Sequence, residues 1–123
     1  MRGIISAAGY VPHWRLQRSS IGAALGSGAG KGNRSVASFD EDSTTLAVEA
    51  SRLALRLAPN SAPDALWFAT TSPTYMEKTS ATILHAALRL GVDVIAADAA
   101  SSLRGTSGAL RSALRSTESS VLV

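Results

Sequence analysis

Two glycine-rich stretches, two histidines, a run of acids and a pair of serines are where this sequence could do chemistry. The stretch Gly26 to Gly32, GSGAGKG, invites comparison with a phosphate-binding loop, in which backbone N–H groups wrap phosphates and a Ser or Thr after the lysine holds magnesium. Its spacing fails at both ends, because the first required glycine falls on Leu25 and Gly32 follows Lys31. A dinucleotide fingerprint G-x-G-x-x-G fails as well, with Lys31 at the third glycine position. Around Gly105-Thr106-Ser107-Gly108 a nucleophile elbow G-x-S-x-G is broken by Ala109. His85 lies in a helical stretch whose next turn offers Arg89, so it has no partner ligand for a metal, and His13 stands alone. The run Asp40-Glu41-Asp42 lacks the alternating acids and central glycine of a calcium loop and reads as the electrostatic cap of the helix that follows. Ser101 and Ser102 precede another helix. A serine hydroxyl needs a base beside it to attack, and no histidine is near in sequence, so helix capping is the better account of the pair. With no cysteine in the chain, thiolate metal sites, a disulfide framework and a cysteine nucleophile are all excluded.

The elements that must position these residues follow from composition and periodicity. The chain has 123 residues, 46% of them apolar and 17% charged, with a net charge of +3, which allows one domain, 1–123, with one core. A mean hydropathy of +0.14 excludes a disordered chain. The pI of about 10.0 comes from scattered arginines rather than a basic stripe, so no nucleic-acid partner is expected. Charges interrupt every apolar stretch before the roughly 20 residues a membrane span requires. The apolar run near the amino terminus, about five residues, is shorter than a signal sequence demands, so a cytoplasmic location is expected.

Gly3 to Tyr10 (GIISAAGY) reads as a buried strand closed by Val11-Pro12. Ser20 to Leu25 is weakly helical, and residues 26–33 form a flexible glycine-rich loop. Leu46, Ala50, Leu53, Ala54 and Leu57 recur at helical spacing until Pro59-Asn60. Ala65 to Thr70 is a fully apolar strand, Thr71 to Lys78 a loop, and Thr79 or Ser80 caps a helix that Gly91 ends. Val94 to Ala97 is a further strand. The last helix puts Leu103, Ser107, Leu110 and Leu114 on one face, while Gly105, Gly108, Ala109 and Ala113 allow close approach of a neighbour. Strands alternating with helices imply an α/β fold with a mixed, mostly parallel sheet covered on both faces. Ser120 to Val123 begins another apolar strand, from which a truncated chain is expected.

From Phe68 to Leu110, strand, loop TTSPTYMEK, helix TSATILHAALRLGV, strand VIAAD and the segment AASSLRGTSGAL together resemble the thiolase superfamily. The likeness is to hydroxymethylglutaryl-CoA synthases of the bacterial and archaeal type and to β-ketoacyl-ACP synthase III. GIISAAGYVPHWRL resembles the first strand and turn of these enzymes, and SVASFDEDSTTLAVEASRLAL their next helix. Five segments thus occur in the family's order, covering nearly everything but the glycine-rich loop.

The resemblance implies the amino-terminal half of a thiolase-like fold and the work of a transferase of lipid metabolism: an acyltransferase condensing acetyl-CoA-type thioesters. It needs no cofactor, since coenzyme A arrives as part of the substrate, and its partners are an acyl-CoA or acyl-carrier thioester and a second copy in a homodimer. In such enzymes a cysteine at the start of a buried helix takes the acyl group, helped by the helix dipole and nearby N–H groups. Here the matching position is Leu103, with Gly105 at the family's glycine. The synthases' acid/base glutamate matches Thr71, which the ketoacyl synthases do without. The family's histidine belongs to the half of the fold expected to be missing. No catalytic residue is therefore assigned, and the chain as it stands is expected to be inactive. Arg34 matches the region of the coenzyme A entrance and is the candidate substrate-binding residue, whereas Arg104 could meet a phosphate or stay on the surface. A noncatalytic thiolase-fold subunit that binds a thioester or a partner chain is the alternative, followed by an unrelated small α/β domain.

Overall fold

The structure, a computed structural model, describes residues 3–99 and 102–123. The chain divides into two compact units, Val11–Asp42 on the one hand and Met1–Tyr10 with Ser43–Val123 on the other.

In the smaller unit, β1 (Arg15–Gln17) pairs antiparallel with β2 (Asn33–Ser35), and α1 (Arg18–Leu25) lies between them in sequence. The hairpin was not expected from sequence, because three-residue strands such as RLQ and NRS carry no alternating apolar pattern. Arg18 holds the connection from both ends: its N–H donates to the Gly32 carbonyl at 2.9 Å and its guanidinium to the Ala29 carbonyl at 3.2 Å. Gly26 ends α1 with φ +64°, a left-handed cap that glycine adopts without steric cost. The glycine-rich loop is therefore a loop, but it closes one residue early, since Asn33 already belongs to β2.

The larger unit contains α2 (Ser43–Leu57), β3 (Ala65–Phe68), α3 (Ser80–Leu88), β4 (Ile95–Asp98), α4 (Gly105–Arg115) and β5 (Val121–Leu122). β3 is the central strand, parallel to β4 on one side and to β5 on the other. Parallel neighbours require long crossovers, and α3 and α4 supply them. Continuous apolarity in ALWF matches this central place: Ala65, Leu66 and Phe68 are buried. Leu66 and Phe68, two residues apart and so on one face of the strand, join Val48 of α2 and Ala81 and Leu84 of α3 in the core.

Two local expectations are corrected, and two helices are specified further. Gly3 to Tyr10 pairs with no strand among the described residues, and Ile4 and Ile5 are each 67% exposed; the segment is irregular, with the Ser6 hydroxyl donating to the Ala54 carbonyl of α2 at 2.9 Å. Apolar residues make a strand only where a ladder partner receives the backbone groups. Helix α2 forms where the spacing predicts it; its buried positions are Thr44 and Val48, Val48 in the core, while Leu53 and Leu57 are exposed. Helix α3 ends not at Gly91 but at Arg89, which takes the left-handed conformation itself, φ +53°, so that its N–H reaches back to the Ala86 carbonyl. On α4 the close approach expected of the small residues is made by Ala109 and Ala113, which are buried and pack against the layer containing β3, while Gly108 is exposed and Leu110 and Leu114 stay over a third exposed. Small side chains permit the closer approach, and close approach decides which face is covered.

Candidate functional site

The carboxyl ends of parallel strands, where the chain turns into the following helices, are the usual location of chemistry in α/β folds. Here Phe68 and Asp98 stand opposite each other at the ends of β3 and β4, and the Ala99 N–H extends the ladder by donating to the Phe68 carbonyl at 2.7 Å. Thr71 follows three residues after the first strand and Leu103 five after the second. Both therefore belong to loops leaving the same end of the sheet.

Asp98 organises this end. Its two carboxylate oxygens accept the N–H groups of Ser80 and Ala81 at 2.8 and 2.7 Å, the first residues of α3. Those N–H groups have no partner within the helix, and a carboxylate there also suits the positive end of the helix dipole. The cap expected of Thr79 or Ser80 is thus supplied by a residue 17 or 18 positions later in the chain: Thr79 makes no side-chain capping bond, and the Ser80 hydroxyl is buried without a partner. Sequence reasoning passed over Asp98 as the mere end of a strand. The available signal was an acid closing an apolar strand in a fold whose preceding helix begins nearby.

After Ala99 the chain closes on α4. The Ser102 hydroxyl accepts the Arg104 N–H at 3.2 Å, and the Ser102 carbonyl accepts the Gly105 N–H at 2.9 Å. Ser102 is accordingly a turn-forming residue ahead of the helix, two positions earlier than a true N-cap, which is Arg104. Ser101 lies outside the described residues. Leu103 projects from this turn, 92% exposed, two residues before α4 begins. Gly105 packs against the Ala99 carbonyl.

The other loop is tied to α2. The Ser72 N–H donates to the Thr70 hydroxyl at 3.1 Å, the Ser43 hydroxyl to the Ser72 carbonyl at 2.8 Å, and the hydroxyls of Thr44 and Thr74 meet at 2.9 Å. Thr71 is exposed within it. The aliphatic hydroxyls of Thr70, Thr71 and Ser72 are too weakly acidic and basic to serve as general acid or base near neutral pH.

The remaining candidates lie elsewhere. Arg34 is exposed on β2, paired in register with Leu16, in the smaller unit. His85 is at the far end of α3 from Asp98, its ring nitrogen bonded to the Gly91 carbonyl at 2.9 Å. Among the described residues no group of three or more acids and histidines could hold a metal ion, and no helix is long and apolar enough to cross a membrane. Of the acidic run, Asp40 and Glu41 close a turn on Ser38: the Ser38 N–H donates to Glu41 at 2.8 Å, and the Ser38 hydroxyl donates to Asp40. That hydroxyl, with a backbone bond, holds the Asp40 carboxyl below its ordinary value of 3.8.

No family model matches the chain. It is 36% identical over 115 residues to the hydroxymethylglutaryl-CoA synthase of Thermococcus sibiricus, an alignment that covers 91% of this chain and 33% of the relative. The corresponding synthase of Archaeoglobus fulgidus is 37% identical over 107 residues, covering 80% and 31%. Among solved structures, the β-ketoacyl-[acyl carrier protein] synthase III of Thermus thermophilus superposes with a TM-score of 0.79 at 27% identity, over 91% of this chain and 37% of that one. MvaS in complex with 3-hydroxy-3-methylglutaryl coenzyme A also gives 0.79, at 21% identity, over 94% and 30%. The chain spans about a third of the length of the curated relatives it matches. Its strand–helix order, parallel sheet and sequence agree: the chain belongs to the thiolase superfamily and is of the hydroxymethylglutaryl-CoA synthase type.

Proposed function

We propose that this chain is the acyl-acceptor layer of a hydroxymethylglutaryl-CoA synthase-like acyltransferase that has lost its acyl acceptor. In the complete reaction a thiolate attacks the carbonyl carbon of an acyl-CoA thioester, the oxyanion is held by N–H groups, and the coenzyme A thiolate leaves. Leu103 offers no lone pair for that attack. The observation carrying the reading is its place: in the turn between β4 and α4, exposed, at the dipole-positive start of an 11-residue helix, where a thiol would be both reachable and acidified. Thr71, across the same sheet end, supplies no acid/base group either. What remains is recognition of an acyl-CoA or acyl-carrier thioester, with Arg34 as a phosphate contact. The noncatalytic alternative draws on the same residue, since a leucine in place of a nucleophile suits a chain that binds without turning over.

The test is Leu103→Cys in the 123-residue chain, incubated with acetyl-CoA and digested for mass spectrometry, beside the unchanged chain and Leu103→Ser. Acetylation confined to residue 103 of the cysteine variant is the expected result. No adduct there, together with no heat of acetyl-CoA binding by calorimetry, overturns the acyl-transfer reading; binding without an adduct favours the noncatalytic one.

A further inference from the structure

We infer that Asp98 is a positioning residue, acting through the Ala99–Gly105 contact to fix where position 103 stands; the inference rests on the proposed function of that position. On the β4 side, the anchors among the described residues stand at 98 and 99. There the Asp98 carboxylate grips the Ser80 and Ala81 N–H groups, and the Ala99 N–H grips the Phe68 carbonyl, all between 2.7 and 2.8 Å. On the other side, Gly105 rests against the Ala99 carbonyl, and the Ser102 carbonyl and hydroxyl collect the N–H groups of Gly105 and Arg104. The Leu103 side chain, in solvent, contributes nothing to this geometry. An acceptor position with residues 98–99 and 102–105 held about it, and its own side chain uninvolved, is prepared for a reactive atom that must be placed rather than packed. Two side chains enter the arrangement among the described residues, Ser102 within the turn and Asp98, which bridges two consecutive elements of the crossover.

The experiment reads thiol reactivity at residue 103. In Leu103→Cys, the rate of alkylation by iodoacetamide against pH is expected to give a midpoint below the value of about 8.5 for a free cysteine. Two second-site changes then attack the clamp from opposite sides. Asp98→Asn removes the charge and one acceptor; Ser80→Pro keeps the charge but deletes a donor N–H, at the first helical position, where proline is tolerated. Both are expected to raise the midpoint, by one unit or so, leaving about tenfold less thiolate well below it. Val48→Ala, a core change distant from the clamp, is expected to lower thermal stability without moving the midpoint. An ordinary midpoint in Leu103→Cys alone overturns the proposed function of position 103. A lowered midpoint that neither second change moves, or that Val48→Ala moves equally, overturns the role of Asp98. A further fall with Asp98→Asn marks Asp98 as a mere neighbouring charge and overturns it too. Should the double variants fail to fold, amide hydrogen exchange in the unaltered chain decides: protection of Ser80, Ala81 and Ala99 together supports the clamp, and fast exchange at Ser80 and Ala81 overturns it.

Discussion

Gly105 sits so close to Ala99 that a β-carbon on the glycine would lie 2.4 Å from the alanine's carbonyl oxygen, a separation no real side chain tolerates. The oxygen belongs to backbone already fixed by the Ala99 hydrogen bond to Phe68, so the strain cannot be relieved by turning a side chain. Gly105→Ala is therefore expected to destabilise the chain by about 1–3 kcal/mol, despite alanine's better helix propensity, as a lowered urea midpoint at unchanged slope. An unchanged or raised midpoint would show that the turn ahead of α4 yields freely.

Ser80 buries its hydroxyl completely and gives it no partner, while its N–H is satisfied by Asp98. Removing only the hydroxyl spares the capping bond and deletes an unsatisfied polar group whose burial costs about 1–3 kcal/mol. Ser80→Ala should thus raise stability, by roughly 1 kcal/mol, at the lower end of that penalty. Equilibrium urea unfolding checks it.

Asp64 is the link between the central strand and β5. Its carboxylate accepts the N–H groups of Ser119 and Ser120 at 2.9 and 3.1 Å, and its own N–H donates to the Ser120 carbonyl at 2.9 Å. Asp64→Ala leaves two backbone donors to find water and should cost about 1–3 kcal/mol, with loss of hydrogen-exchange protection concentrated around residues 119–122. Uniform loss across the sheet would contradict so local a role.

Asp40 is fully exposed, and the Ser38 hydroxyl favours its charged form. Because the folded carboxyl titrates below its ordinary value of 3.8, its contribution to stability is complete above that pH and is lost as the pH falls through the depressed folded value. Ser38→Ala should move the Asp40 titration, followed by NMR, upward toward 3.8. No upward movement would mean the hydroxyl is not the cause.

Much of the larger unit could be read before any coordinates, because its signals are strong and local. The apolar run at β3, the helical spacing through α2 and the strand ending at Asp98 each follow from which side chains must leave water. What escaped reading depends on partners distant in sequence. Gly3 to Tyr10 has the composition of a strand but no ladder among the described residues, and Arg89 occupies a left-handed cap that Gly91 would have filled more easily. On α4, by contrast, the close approach expected of the small residues is made, by Ala109 and Ala113. At the candidate site, Leu103 and Thr71 were located by resemblance, and the structure brings their loops to one sheet end. Asp98 was missed because nothing in a single sequence says that an acid at residue 98 will meet N–H groups at 80 and 81.

The exposure of Leu103 has a bearing on how such a chain changes over generations. Since the side chain buries nothing, its replacement is expected to alter stability by no more than about 0.5 kcal/mol. Folding exerts no grip on which amino acid stands there. On the proposed function, a substitution at that codon is therefore expected to change reactivity while the scaffold around it stays intact.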